Sequence, residues 1–240
     1  MHQPNFFPWL GLFHRIALVD KFIFFDHVQA QRGKSWLSRN KILLYGEVKW
    51  LTIPVKKRGR GLQKVHEVSI NYDTRFEKKH LGTLRQSYGK CQCFNEVFPH
   101  IEELYAQGYE RLKDFNEHYI RLVVEKIGIE VEYGSSLQLL NNCVGSEDIV
   151  GNELIVQICK LAKAETYISG EGCLDFIDPQ EFEEEGIRFQ FQKFVHPMYR
   201  QLDTGNFVSH LSSLDALFNI GFAGVRKIID EAVHKTRTCT

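Results

Sequence analysis

The chain has 240 residues, 43% of them hydrophobic and 25% charged, and thirty Lys+Arg balance thirty Asp+Glu to a formal net charge of zero. That balance excludes wholesale disorder, a general nucleic-acid coat and a polybasic membrane binder, each of which needs a lopsided composition. No apolar run approaches the roughly 20 residues of a membrane-spanning helix. No basic segment followed by an apolar stretch marks a secretory signal. The cysteines at 91, 93, 143, 159, 173 and 239 are scattered rather than framed, so a cytoplasmic protein with free thiols is expected.

Pro4, Pro8 and Gly11 break the opening MHQPNFFPWLG into a loop. Apolar residues then recur at near-helical spacing over 12–19. The run KFIFF at 21–25 is a short strand ending at Asp26, apolar enough for a parallel sheet. Its parallel partner belongs before the opening loop, where only Met1 stands, so this reading places a strand upstream of the numbering. Residues 48–55 alternate as a strand, 56–61 form a basic turn, and 65–70 read as a further strand. Helices follow at 74–88, 94–105 and 109–127. The last has Leu112, Phe115, Tyr119, Leu122 and Val123 on one face and is ended by Gly128. Then come a strand at 130–133, a turn at 134–136, a helix at 149–161, a strand at 165–169, a helix at 173–177, a strand at 187–194, and helices at 212–219 and 223–233. This alternation is the α/β signature. It predicts one α/β domain over 1–240, with a Rossmann-like, mostly parallel sheet and a helical cap or subdomain at about 74–128.

Four loops carry residue types suited to ligand chemistry. The opening loop offers His2, Gln3, Asn5, Trp9 and Gly11 before a helix, where an α/β sheet binds phosphate; the alternative is a Pro-rich turn packing its aromatics. Asp26 and Gln29 follow a strand end, a place for a general base or for a cap. The segment RGKSWLSRN places Arg32, Lys34 and Arg39 around Trp36 and Asn40. Guanidinium groups bind phosphate in pairs and the indole stacks; the alternative is a solvated basic loop. Ser169, Gly170 and Gly172 form a small-residue turn whose backbone can cradle phosphate, or simply turn tightly. After the last strand, His196, Tyr199 and Gln201 add acid–base and polar groups. No P-loop, dinucleotide fingerprint, HExxH or GxSxG occurs. Cys91-Gln92-Cys93 has the wrong spacing for zinc. Asp26, Asp148 and Asp215 could be metal ligands but show no spacing that argues for it, so no metal ligand is assigned and metal dependence stays open.

HQPNFFPWLGLFHRI, DKFIFFDHVQ, KSWLSRNKI, KWLTIPV, SEDIVGNELIVQICKLAKAETYISGEG, HPMYRQ and SSLDALFNIG, in that order, resemble the WbqC-like family over nearly the whole chain. The resemblance implies a bacterial protein of surface-polysaccharide, notably O-antigen, biosynthesis, and it implies a pathway more firmly than a reaction. The opening loop–helix–strand is also similar to the first unit of HxGH nucleotidyltransferases and pantothenate synthetase, where histidines bind ATP phosphates. The matching residues here, Trp9-Leu10-Gly11-Leu12, keep the glycine and lose both histidines.

The leading expectation is a transferase or ligase acting on a nucleotide-linked (amino) sugar. Arg32, Lys34 and Arg39 would hold the pyrophosphate and Trp36 would stack. His2, Asp26 or His196 would move the proton. The alternatives are an ATP-using adenylate-forming ligase and a non-enzymatic scaffold of a polysaccharide assembly complex. The cofactor stays open between ATP and a nucleotide sugar. Neutral charge argues against a nucleic-acid partner, and oligomeric state is not legible.

Overall fold

The computed structural model describes residues 1–31, 33–141, 149–202 and 205–238, with nothing stated for the side chains of 237 and 238. Arg32, Cys143, Asp148 and Cys239 lie outside the described residues. The described strands form two parallel pairs and one hairpin. β1 (Lys21–Phe24) runs parallel to β4 (Glu132–Ser135), with Lys21 opposite Glu132 and Phe24 opposite Ser135. On the other edge of β1, His2 makes a parallel bridge to Phe24: the His2 N–H donates to the Ile23 carbonyl (3.1 Å) and the Phe25 N–H to the His2 carbonyl (2.9 Å). β5 (Thr166–Gly170) runs parallel to β6 (Arg188–Gln192). β2 (Arg39–Leu44) and β3 (Glu47–Thr52) form an antiparallel hairpin. It turns at Tyr45 and Gly46, both left-handed (φ 53° and 75°), the backbone that matches strand twist in a two-residue hairpin.

The helices are α1 (Leu10–Ile16), α2 (Phe76–Tyr88), α3 (Phe94–Ala106), α4 (Leu112–Lys126), α5 (Ser136–Asn141), α6 (Gly151–Leu161), α7 (Gln180–Glu184) and α8 (Ser213–Thr238). The largest apolar cluster unites α1 to α4, the hairpin and α8, and includes Phe6, Phe7, Phe13, Phe115, Tyr119 and Phe218. Each such side chain removed from water contributes about 1.5–3 kcal/mol. α4 buries Leu112, Phe115, Tyr119 and Val123 as its period predicts, but Ile120 and Val124 are buried where Leu122 is only half-buried. Two smaller clusters lie around β5, β6 and α7, and around Ile23, Leu140 and α6.

Several local expectations are corrected. The basic segment at 32–41 contains the start of β2, because Asn40 and Ile42 alternate inward while Arg39 and Lys41 do not. The strand expected at 65–70 is a 3-10 turn (Val65–Glu67) followed by isolated bridges, Val55 to Ile70 and Ser69 to Arg111. Val65, Val68 and Ile70 are buried there, but successive residues pair with different neighbours, so no ladder forms. The turn expected at 134–136 is the end of β4 running directly into α5. The helix expected at 173–177 reduces to a 3-10 turn (Glu171–Cys173), and α7 follows, opened by Asp178, whose Oδ1 accepts from the Gln180 N–H at 2.9 Å. The two closing helices run together as α8 with a break at Gly221 (φ 69°, ψ 178°). There Glu96 accepts from the Phe222 N–H at 3.2 Å and serves as cap for the second half.

Candidate functional site

The opening loop is held by side chains from elsewhere. Buried Asn40 donates its amide to the carbonyls of Phe6 (3.2 Å) and Phe7 (2.8 Å), and its Oδ1 accepts from the Lys41 N–H (2.8 Å). Buried Asn116 donates to the carbonyls of Pro4 (2.7 Å) and Leu37 (2.8 Å). These bonds satisfy carbonyls that would otherwise be orphaned in the core and hold Phe7 at φ 40°. Gln3 and Asn5 are half-buried in the same loop. Gly11 is required sterically, since a Cβ there would lie 2.4 Å from Trp9 Cζ2.

α1 is tied to β5 and β6 by a second polar network. Gln192 Nε2 donates to the Gly11 carbonyl (2.7 Å) and meets His14 Nδ1 (2.8 Å), while its Oε1 accepts from Arg15 Nε (2.8 Å). The Arg15 guanidinium lies directly on Gly170, 2.2 Å from where a Cβ would stand. Thus the Ser169–Gly170 turn meets a cation of its own chain where a phosphate was anticipated. Ser169 is buried, while Gly172 has open space around it. His2 Nδ1 donates to the Gln3 carbonyl at 2.7 Å. Burial, and then the charge of Arg15, push the His2 pKa down to about 3, so the ring is neutral at pH 7.

Asp26 is buried just beyond β1 and staples β1 to the β4–α5 junction. Its carboxylate accepts from Ser135 Oγ (2.9 Å), Ser136 Oγ (3.1 Å) and the Leu137 N–H (3.0 Å), and Lys113 Nζ is 3.6 Å away. His27 Nδ1 lies 2.7 Å from Ser136 Oγ. With so many donors already engaged, Asp26 acts as a distant cap for α5.

Of the basic-segment candidates, Lys34 and Trp36 are exposed and Arg39 is half-buried. A groove of about 420 Å³ opens between the 30–38 loop and the basic turn. Leu37, Val55, Val68 and Leu112 make it apolar, and Ser35 and Lys57 add polar groups. The walls are joined by main-chain pairing: Gln29 bridges Lys64, and the Ala30 N–H donates to the Gln63 carbonyl (2.9 Å). Lys34, Lys57 and Arg58 are exposed and make no ion pair among the described residues.

Trp36, between the groove residues Ser35 and Leu37 in sequence, and Trp50 remain 44% and 43% exposed, with ring centroids 5.3 Å apart. Arg39 lies 3.9 Å over the Trp50 ring, and Lys41 lies 5.8 and 5.5 Å from the two indoles. The Ser212 N–H donates to the Lys41 carbonyl (2.8 Å) and the Ser213 N–H to the Pro8 carbonyl (2.9 Å). These bonds fix the segment entering α8 on β2 and on the opening loop.

In that segment His196 and His210 stack on Trp9, with centroids at 6.3 and 5.1 Å, and the two imidazoles are 5.1 Å apart. Burial lowers the His196 pKa against the opposing bond to the Pro197 carbonyl, leaving a neutral ring at pH 7. Tyr199 Oη and Gln201 Nε2 each donate to Asp215 Oδ2 at 2.8 Å, which braces the segment on α8.

Trp9 and His196 therefore come together, and Trp36 and Arg39 each meet Trp50, while Asp26 and Asn40 point into the protein. Trp50 and His210 went unnoticed in the sequence. Trp50 could have been found from its register, since it pairs with Lys41 in the hairpin; His210 had no local signal.

Residues 3–227 match the WbqC-like protein family. The chain belongs to this family. Over 221 residues the WbqC-like chain is 31% identical to "Uncharacterized protein Rv1507c" of Mycobacterium tuberculosis, covering 91% of this chain and 92% of that protein. No solved structure matches. Among the described residues of this WbqC-like protein, no group of three or more His, Cys, Asp or Glu is arranged to hold a metal. None of its described helices is long and apolar enough to cross a membrane.

Proposed function

We propose that this WbqC-like protein is a transferase or ligase of bacterial surface-polysaccharide biosynthesis whose substrate is a nucleotide-linked sugar. The observation that carries this reading is the apolar groove with unpaired Lys57 in its lining, the exposed Lys34, Trp36 and Arg58 next in sequence to lining residues, and Trp50 against Trp36. Apolar clefts of this size with a few polar groups suit small organic ligands. Indole faces take planar bases and the apolar faces of sugar rings, while free ammonium and guanidinium groups take phosphate. Lys34, Lys57 and Arg58 hold the pyrophosphate, and Trp36 and Trp50 hold the ring. His196, neutral and half-buried beside His210, accepts the proton of the attacking amine or hydroxyl.

The test is thermal denaturation with UDP-sugars, dTDP-amino sugars, ATP and CoA esters, with and without magnesium. A ligand that binds only the native state stabilises it by about 2.7 kcal/mol at a hundredfold excess over Kd. A nucleotide sugar is expected to raise Tm, and Trp50→Ala to reduce the rise by up to about half. A rise with ATP alone would favour an adenylate-forming ligase. No rise with any member of the panel would favour the scaffold reading.

A further inference from the structure

Residues 29–64 close on themselves at a neck, where Gln29 bridges Lys64 and the Ala30 N–H donates to the Gln63 carbonyl (2.9 Å). The lobe above that neck holds the β2–β3 hairpin and the basic turn. Its 36 residues contain ten of the thirty Lys+Arg and one of the thirty Asp+Glu, Glu47, a net charge of +9. The other 204 residues hold the remaining twenty cations and twenty-nine carboxylates, a net of −9. The neutrality of the whole chain is therefore the sum of two unlike parts. It excludes a chain that is basic throughout, and it does not exclude a polyanionic partner for one part. Of the lobe's cations, Lys49 alone has a carboxylate within ion-pair distance among the described residues, that of Glu47 at 2.6 Å. Lys56, Arg60 and Lys64 are exposed, as are Lys34, Lys57 and Arg58.

The same lobe displays apolar side chains. Trp36, Tyr45, Val48, Trp50 and Leu62 are half of the ten large hydrophobic residues exposed among the described ones. Val48 and Trp50 share a face of β3 by strand alternation, and Lys41 is the register partner of Trp50. Leu62 is 60% exposed and follows the basic turn directly. Gly59 and Gly61 have left-handed backbones (φ 74° and 57°), and a Cβ on either would meet nothing within 4 Å. The turn therefore stands out in solvent, with cations on both sides of an exposed leucine. A single-stranded nucleic acid would use such cations and indoles, but it gives the aliphatic Val48 and Leu62 no apolar layer to enter. An anionic bilayer surface meets both kinds of group. Its headgroups take the ammonium and guanidinium groups, and the acyl boundary takes aliphatic and indole side chains.

We propose that the 29–64 lobe is a membrane-docking surface that seats the protein on a bilayer rich in anionic phospholipid. Lys56, Arg60 and Lys64 sit at the headgroup phosphates, and Leu62 enters the acyl boundary between them. The long lysine and arginine stems lie along the apolar layer while their charged ends stay in water. The docking is peripheral and reversible, because one inserted side chain and a set of screened charges hold it. The inference does not rest on the nucleotide-sugar reading. Lys56, Arg60, Leu62 and Lys64 lie outside the groups assigned to that substrate, and the test contains no nucleotide, so either reading can fail alone.

The test sediments the full chain with vesicles of phosphatidylcholine alone and of phosphatidylcholine with about one-third phosphatidylglycerol. Binding to the anionic vesicles is expected to be at least about tenfold tighter at low salt and to fall steeply at 0.5 M. A cation close to an anionic surface is worth about fivefold, so Lys56→Glu combined with Lys64→Glu should weaken binding by about 25-fold or more. Leu62→Ser should weaken it several-fold, and Leu62→Phe should keep it. No preference of the unaltered chain for the anionic vesicles at low salt would overturn the proposal, whatever the variants do. Anionic binding that Leu62→Ser leaves unchanged would overturn it as well, because the lobe would then be a patch for polyanions in general. A single-stranded oligonucleotide bound more tightly than the vesicles would assign the lobe to nucleic acid instead.

Discussion

In the opening loop and its supports, Asn40 and Asn116 donate to the carbonyls of Phe6, Phe7, Pro4 and Leu37, and Asp26 accepts from three donors across the β4–α5 junction. On the hairpin side, Lys34, Lys57 and Arg58 stay in solvent without a carboxylate among the described residues, and Trp36 and Trp50 stay nearly half exposed. Both regions mix polar, aromatic and small residues, yet the polar groups named in the first pair inside the protein, with Asn116 Oδ1 left without a partner, and the cations named in the second have no carboxylate. A saturated buried group holds the fold, because removing it strands its partners in a low-dielectric interior. An unsaturated exposed group costs little in water and is free to meet a ligand.

The sharpest way to break this contrast is Asp26→Ala. It leaves Ser135, Ser136, the Leu137 N–H and Lys113 without their shared acceptor. A loss of about 3–5 kcal/mol is expected, as for breaking a buried charge pair, read from urea midpoints. A loss below about 1 kcal/mol would move Asp26 back among the ligand-facing groups. Asp26→Asn, which keeps an acceptor, should lose less.

Acid should reveal the same saturated region. His14 and His80 are buried, and burial pushes each down to about 4. His80 Nε2 donates to the Thr52 carbonyl (3.0 Å), and its Nδ1 meets Tyr105 Oη (2.8 Å), which the neutral ring satisfies by accepting from the hydroxyl. Below pH 6.5 the unfolded chain binds protons that the native state refuses, so stability falls as pH drops from 6.5 to 4. Taken at these shifts, the pair contributes up to about 5 kcal/mol of the fall between pH 7 and pH 4.5. Urea midpoints at pH 7 and pH 4.5 check it; His80→Phe should flatten the slope, and an unchanged slope would contradict the assignment.

On the hairpin side the order of effects reverses. Trp50→Ala should leave Tm within about a degree but weaken nucleotide-sugar binding five- to tenfold, since cation–π and stacking contacts are worth about 1 kcal/mol. Titration calorimetry decides it, and undiminished affinity would remove the platform from the site. Lys57→Ala should be smallest, within about 0.5 kcal/mol in stability. It should lower affinity a few-fold at low salt and scarcely at all at 0.5 M, because an exposed charge is screened there.

Much of the fold was legible in the sequence. The period of α4 and the apolar run of β1 follow directly from which residues must leave water. The α/β class and the family followed from the same residues. What could not be read locally was where each polar side chain points. Asn40 sits within a basic segment and looks like its neighbours Arg39 and Lys41, yet strand alternation turns it inward onto a loop more than thirty residues away. Gly170 looks like a phosphate turn until Arg15, brought by α1, lies against it. Trp9 and His210 are two hundred residues apart and stack only because α8 begins against Pro8. Hydrophobic periodicity is a property of neighbours along the chain and is therefore written in it. The partner of a polar group is chosen by long-range packing, so tertiary structure alone decides which groups are satisfied and which remain free for chemistry.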